Sequence, residues 1–152
     1  MIEITHDELQ PDKITARVRR DTNGAVLTFL GTTRSFTRGR RVLHLEYEAY
    51  RPMADNKLAE IADEICQRWD VEDVAVSHRL GRLEIGDISL VVAVASPHRG
   101  HAFEACQYSV DRIKQIVPIW KKEYFEGGEV WVGSQEDDHL RKLEESAAGG
   151  SG

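Results

Sequence analysis

The sequence predicts an α+β fold, a mixed and largely antiparallel sheet with helices packed on one side. Three observations carry that expectation. Segments with apolar residues at every second position recur along the chain, two longer segments repeat at helical spacing, and short Gly- or Pro-containing turns separate them. At 152 residues, 41% hydrophobic and 30% charged, the chain is long enough to bury a core in one domain without covalent staples. That domain is placed at residues 1–144; residues 145–152, which end in "AAGGSG", read as a frayed tail or linker.

The elements follow in order. "DKITARVRR" (12–20) suits a short helix, and "GAVLTFLG" (24–31), apolar and β-branched between glycines, predicts a buried strand. "TTRSFTRGRR" (32–41) is a basic loop. In "VLHLEYEAY" (42–50), Leu43, Leu45, Tyr47 and Ala49 alternate with His44, Glu46, Glu48 and Tyr50, the period of a half-buried strand. From Met53 to Trp69 the period lengthens: Leu58, Ile61, Ala62, Ile65 and Trp69 share one helical face, with Glu60, Asp63 and Glu64 on the other. Alternation returns through Val74, Val76, His78 and Leu80. After the turn "EIGD" (84–87), "ISLVVAVAS" (88–96) reads as a central strand buried on both faces. Phe103, Cys106, Val110, Ile113 and Val117 form the stripe of a second helix, which ends where Pro118 disfavours helical geometry at its predecessor. "GGEVWVG" (127–133) closes as a short strand.

Bulk properties exclude several classes. A net charge of −6 opposes generic coating of nucleic acid, although it leaves room for a local basic site. No run approaches the ~20 apolar residues of a membrane span, and the acidic start "MIEITHDELQ" lacks the features of a signal peptide. Cys66 and Cys106 lie in amphipathic helical patterns and are expected to be inert core thiols, so a reducing cytoplasm is the expected location. His44, His78, His98 and His101 lack metal-ligand spacing. There is no Gly-rich phosphate loop, nucleophile elbow or dinucleotide fingerprint, so neither metal nor cofactor is expected.

Cations gather beside structural punctuation in three places. Arg34, Arg38, Arg40 and Arg41 lie in the loop after the first core strand, with Phe36 among them. A solvated loop is one reading; a platform for a planar ligand or a partner is the other. In "ASPHRGHAF", Ser96 is a suitable N-cap, which puts His98 and Arg99 at a helix N-terminus where free N–H groups already favour an anion. Cations at that point either project into solvent or await an anion. Finally, "IKQIVPIWKKE" carries Lys114 late in a helix and Lys121 and Lys122 in the connection beyond Pro118. Neighbouring ammonium groups would depress each other's pKa towards a useful nucleophile or acid/base; a solvated surface pair is the plainer alternative.

Taken together, "GAVLTFLGTTR", "LEYEAY", "MADNKLAEIADEICQRW", "HRLGRLEIGD" and "SPHRGHAFEACQYSVDRIKQIVPIWKKE", followed by "WVG", resemble the large, catalytic subunit of molybdopterin synthase, the MoaE family. These stretches occur in the family's order and cover most of residues 24 to 133. The resemblance implies an α/β hammerhead with a small β-subdomain. It also implies conversion of cyclic pyranopterin monophosphate to molybdopterin, with sulfur supplied by the thiocarboxylated C-terminus of a small ubiquitin-like (MoaD-type) carrier. The assembly implied is a homodimer of large subunits within a heterotetramer, without nucleic acid or membrane.

By the same resemblance Lys114 and Lys121 are the catalytic lysines, and Thr32, Thr33, Arg34, His98, Arg99, Lys122 and Glu123 join them in binding substrate. Lys121 is expected to act at the thiocarboxylate and the attacked carbon, and Lys114 in proton transfer or cyclic-phosphate opening. Arg34, His98 and Arg99 would hold phosphate and pterin. Some relatives carry an arginine after the W-V strand that reaches the neighbouring subunit; Gln135 stands near that place here. A non-catalytic docking partner of a ubiquitin-like protein, or a phosphate- or nucleic-acid-binding module, would use the same cations differently.

Overall fold

A computed structural model of the chain describes residues 1–132; Gln135 and residues 145–152 lie outside the described residues. The elements run β1 (Ile2–Thr5), α1 (Pro11–Ala16), β2 (Ala25–Thr32), β3 (Phe36–Thr37), β4 (Arg40–Ala49) and α2 (Met53–Arg68). They continue with β5 (Val74–Arg79), β6 (Gly81–Glu84), β7 (Ile88–Ser96), α3 (Arg99–Ile116), β8 (Ile119–Phe125) and β9 (Gly128–Val132).

The strands form two sheets. The first has the order β1-β5-β7-β2, with β1 parallel to β5 and every other pair antiparallel. The second has the order β3-β4-β8-β9, with β6 on the other side of β4, and is antiparallel throughout. This second, five-stranded sheet is the β-subdomain. No described helix is long and apolar enough to cross a membrane.

The core is built around β5 and β7, which are apolar on both faces because both are covered. Val74, Val76, Val92 and Val94 meet α2 and α3 through Leu58, Ile61, Ile65 and Ile113. Ala75, Val91, Ala93 and Ala95 face the other way, against Leu9, Ile14 and Val18 around α1. The two long helices thus share one side, and the short α1 covers part of the other.

Three details depart from the sequence reading, each for a local reason. β2 is not a buried strand: Leu27 and Phe29 pack on the core, while Val26 and Leu30 are exposed. It lies at the sheet edge, and six-residue α1 reaches it through the Thr15–Thr28 hydroxyl contact at 2.6 Å without covering its length. In β4 the register shifts between Val42 and His44, so Val42 is buried and Leu43 is turned out. On α3 the buried face is Ala102, Ala105, Cys106, Ser109 and Ile113, and Phe103 is 61% exposed. Small residues let the helix lie close to the sheet, which favours this face over the bulkier stripe. Of the two thiols, Cys106 is buried as expected and Cys66 is exposed.

His78 sits at the seam between the sheets, 6% exposed, with Tyr47 edge-on at 5.0 Å and Nδ1 donating to the Arg79 carbonyl at 2.9 Å. Burial pulls its pKa down from 6.5 to about 4. Between those values the unfolded chain binds a proton that the folded chain refuses. Stability is therefore full above about pH 6.5 and falls as the pH drops towards 4, by on the order of 3 kcal/mol from this group. Denaturant titrations of the parent chain and of His78→Gln across that range should differ in slope by one proton; parallel curves would contradict this.

Candidate functional site

The site begins at the break after α3. Val117 leaves helical geometry (φ −83°, ψ 122°) while its N–H still donates to Ile113 O, and Pro118 then lends its carbonyl to the Tyr50 N–H at 3.0 Å. The chain enters β8 at once, so Lys121 and Lys122 occupy a strand and not the irregular connection expected. Successive strand residues point to opposite faces, and this separates the two lysines.

Lys121 shares a strand face with Glu123, its Nζ 3.3 Å from Glu123 Oε1. The Glu123 side chain is only 4% exposed, and its Oε2 is buried with no hydrogen-bond partner among the described residues. Buried carboxylate oxygens are rarely left so; this one belongs to the carboxylate that holds the Lys121 ammonium. Lys122 lies on the opposite face of the strand, with Nζ 3.8 Å from Glu129 Oε1 and 5.1 Å from the Tyr124 ring centroid. Tyr124 OH in turn donates to Glu46 at 2.9 Å. The Tyr124 hydrogen bond, reinforced by Glu129 and Glu46, raises the Lys122 pKa, the opposite of the depression expected from a lysine pair.

Arg34 leaves the end of β2, exposed, beside an anchored neighbour. Thr33 is 4% exposed, and both its N–H and its hydroxyl donate to the Asp87 carbonyl, at 3.0 and 3.2 Å. The Gly86 N–H donates to the Thr33 carbonyl at 2.9 Å. Thr33 is therefore a fixed point of the loop, while Thr32 and Arg34 are presented to solvent.

Register places Arg34 and the lysines at one end of the molecule. Lys121 pairs with Tyr47, whose ring meets His78; His78 pairs with Leu90, and Leu90 with Gly31, just before Arg34. Because α3 turns back along β7, its late residue Lys114 comes to that same end. His98 and Arg99 do not. They start α3, next to the Ala25–Ser96 pair, whereas the Arg34 end is marked by the Thr32–Ile88 pair. At ~1.5 Å per helical residue, Arg99 and Lys114 are roughly 22 Å apart along the axis.

The helix start also differs in detail. His98, not Ser96, is the N-cap, since β7 runs on through Ser96, whose hydroxyl donates to Asp70 O at 2.8 Å and accepts the His98 N–H at 3.4 Å. His98 and Arg99 line an open cleft with Gly24, Pro97 and Gly100, and the first turn carries no acidic residue. His101 is occupied structurally, its Nδ1 accepting the Asp70 N–H at 2.9 Å. The predicted residues thus divide between the two ends of a single chain: Arg34, Lys114, Lys121 and Glu123 lie towards one end, with β4, β5 and β7 between Lys121 and the strand that carries Arg34, and His98 and Arg99 lie at the other. Lys122 faces away from the first group. Asp87 and Arg79, which shape the loop behind Arg34, were read only as parts of a turn and a strand. The Gly-Asp at the end of "EIGD" was the available signal.

The model of the MoaE protein family matches residues 4–116. The chain belongs to the MoaE protein family. Among curated relatives it is similar to the molybdopterin synthase catalytic subunit of Halalkalibacterium halodurans, 56% identical over 112 residues that cover 74% of this chain and 72% of the relative. It is 50% identical to that of Bacillus subtilis over 133 residues, 88% of this chain and 85% of the relative. The crystal structure of molybdopterin synthase from Staphylococcus aureus superposes with a TM-score of 0.82 at 45% identity, covering 86% of this chain and 96% of that one. A chain of the complex of subunits 1 and 2 of molybdopterin-converting factor from Helicobacter pylori shares the fold, with a TM-score of 0.72 at 18% identity, covering 86% of this chain and 89% of that one. The MoaE assignment agrees with the α+β architecture and its separate five-stranded sheet.

Proposed function

We propose that the end of this MoaE-family chain bearing Arg34, Lys114, Lys121 and Glu123 is where sulfur transfer takes place. The chain is an enzyme of molybdenum cofactor biosynthesis, a catalytic subunit that converts cyclic pyranopterin monophosphate to molybdopterin. The observation that carries the residue-level reading is the pair of lysines on either side of Pro118, one of them held by a buried carboxylate, at the end where Arg34 emerges.

The chemistry suits these groups. The carrier's thiocarboxylate sulfur bonds to a substrate carbon as that carbon's bond to oxygen breaks, the leaving oxygen taking up a proton; water then cleaves the acyl–sulfur bond, leaving a thiol sulfur on the substrate and a carboxylate on the carrier. Both steps gather negative charge on oxygen or sulfur, and an ammonium fixed in place stabilises it without reorganising. Glu123 keeps Lys121 aimed. Lys114, on the exposed helix end, exchanges protons with solvent. Arg34 offers a planar donor fork to phosphate.

The partner is a small ubiquitin-like carrier, and the H. pylori complex of two subunits supports a small-subunit partner in that relative. A second copy of this chain supplies His98 and Arg99, which a single chain keeps at the far end from Arg34. The reaction takes place in the cytoplasm, with no cofactor or metal beyond the two substrates. The test is reconstitution: purified chain, thiocarboxylated carrier and precursor should form molybdopterin, with carrier-linked intermediates visible by mass spectrometry. Carrier binding without turnover would reduce the chain to a docking partner.

A further inference from the structure

The loop that presents Arg34 has a support that family membership does not assign. Thr33 makes three hydrogen bonds to the turn at residues 84–87: two donated to Asp87 O and one accepted from the Gly86 N–H. That turn is itself shaped by the Asp87 carboxylate. Its Oδ2 accepts the Glu84 N–H at 2.9 Å and lies 3.7 Å from Arg79 Nη1. Asp87 N–H donates to Glu84 O at 3.0 Å, closing the turn from the other side. Arg79 has its Nε buried with no hydrogen-bond partner among the described residues, so the nearby Asp87 carboxylate is its compensating charge. Gly86 adopts φ +88°, which permits the sharp reversal that points the Asp87 carbonyl at Thr33.

We infer that Asp87, backed by Arg79, is a positioning residue for Arg34: it latches the 84–87 turn to Thr33 and so sets where the neighbouring guanidinium meets the anionic substrate. This inference rests on the reading of Arg34 as a substrate-holding residue. Asp87 itself touches no reacting atom. Its contribution is to spare Arg34 the entropy of an unanchored loop, an effect that belongs to substrate binding and not to the chemical step.

The experiment is a double-mutant cycle with the full chain, saturating thiocarboxylated carrier and varied cyclic pyranopterin monophosphate. Asp87→Ala should raise KM about tenfold with kcat nearly unchanged, the size of one lost charged hydrogen bond. Once Arg34→Ala is present, adding Asp87→Ala should cost little more, because the two act through one contact. Independent, multiplicative losses would overturn the inference, as would a fall in kcat alone.

Thr33→Val removes one latch bond with little change of shape and reads the same contact should Asp87→Ala fold poorly. An increase in KM of roughly threefold supports the latch, and an unchanged KM overturns it. If Arg34→Ala itself leaves activity intact, the fault lies with the reading of Arg34. If Arg34→Ala is damaging and the Asp87 and Thr33 variants are not, the latch alone fails.

Discussion

Lys121→Ala is expected to abolish sulfur transfer, lowering kcat by at least roughly 100-fold, the usual scale for removing a group that moves charge or protons in a transition state. Lys121 lies at the edge of the core with its side chain about a third exposed, so the fold should survive at reduced stability, since the buried Glu123 carboxylate loses its paired ammonium. The informative comparison is its neighbour. Lys122→Ala removes the same charge one residue away, yet Lys122 points to the other face of the sheet, towards Tyr124 and Glu129. It should change kcat by no more than a few-fold, a difference that only strand alternation explains. Single-turnover assays of the two variants with thiocarboxylated carrier decide the matter. Equal losses would mean that the lysines act together, and a fully active Lys121→Ala would remove that residue from the site.

Mixing two impaired variants should restore activity at subsaturating precursor. Arg34→Ala and Arg99→Ala damage residues at opposite ends of one chain, separated by roughly the length of α3. If each reaction centre combines Arg34 of one copy with Arg99 of another, every site is defective in either variant alone. A mixed dimer, however, contains one site with both arginines intact. Random re-pairing makes half the dimers mixed, each with one good site of two, so about a quarter of the parental activity should return on co-refolding or co-expression. Activity no higher than the average of the separate variants would mean that Arg99 serves no composite site.

Much of this architecture was legible from periodicity. The switch from alternation to helical spacing located α2, and the doubly apolar "ISLVVAVAS" marked the central strand β7. Where the reading failed, the missing information was tertiary. Nothing local says that β2 ends a sheet, so its alternating exposure could not be foreseen from an apolar run. Phe103 looked like core because it is large; Ala102 and Ala105 took that role because closeness to the sheet mattered more than area.

The site was legible as residue types and motif matches but not as geometry. Reading "WKKE" as a connection made Lys121 and Lys122 a pair, and recognising a strand there divides them. His98, Arg99 and Arg34 were grouped by chemistry alone, and only the antiparallel register of β2 with β7 shows how far apart one chain holds them.

Helix α3 begins at one group of these residues and ends at the other, so it works as a ruler. Its length sets the distance between the two halves of the machinery, and its winding sets their relative angle. Inserting one residue would turn everything beyond it by about 100° and carry Lys114 off its bearing. The residue count of α3 is therefore as much a part of the site as any side chain it carries.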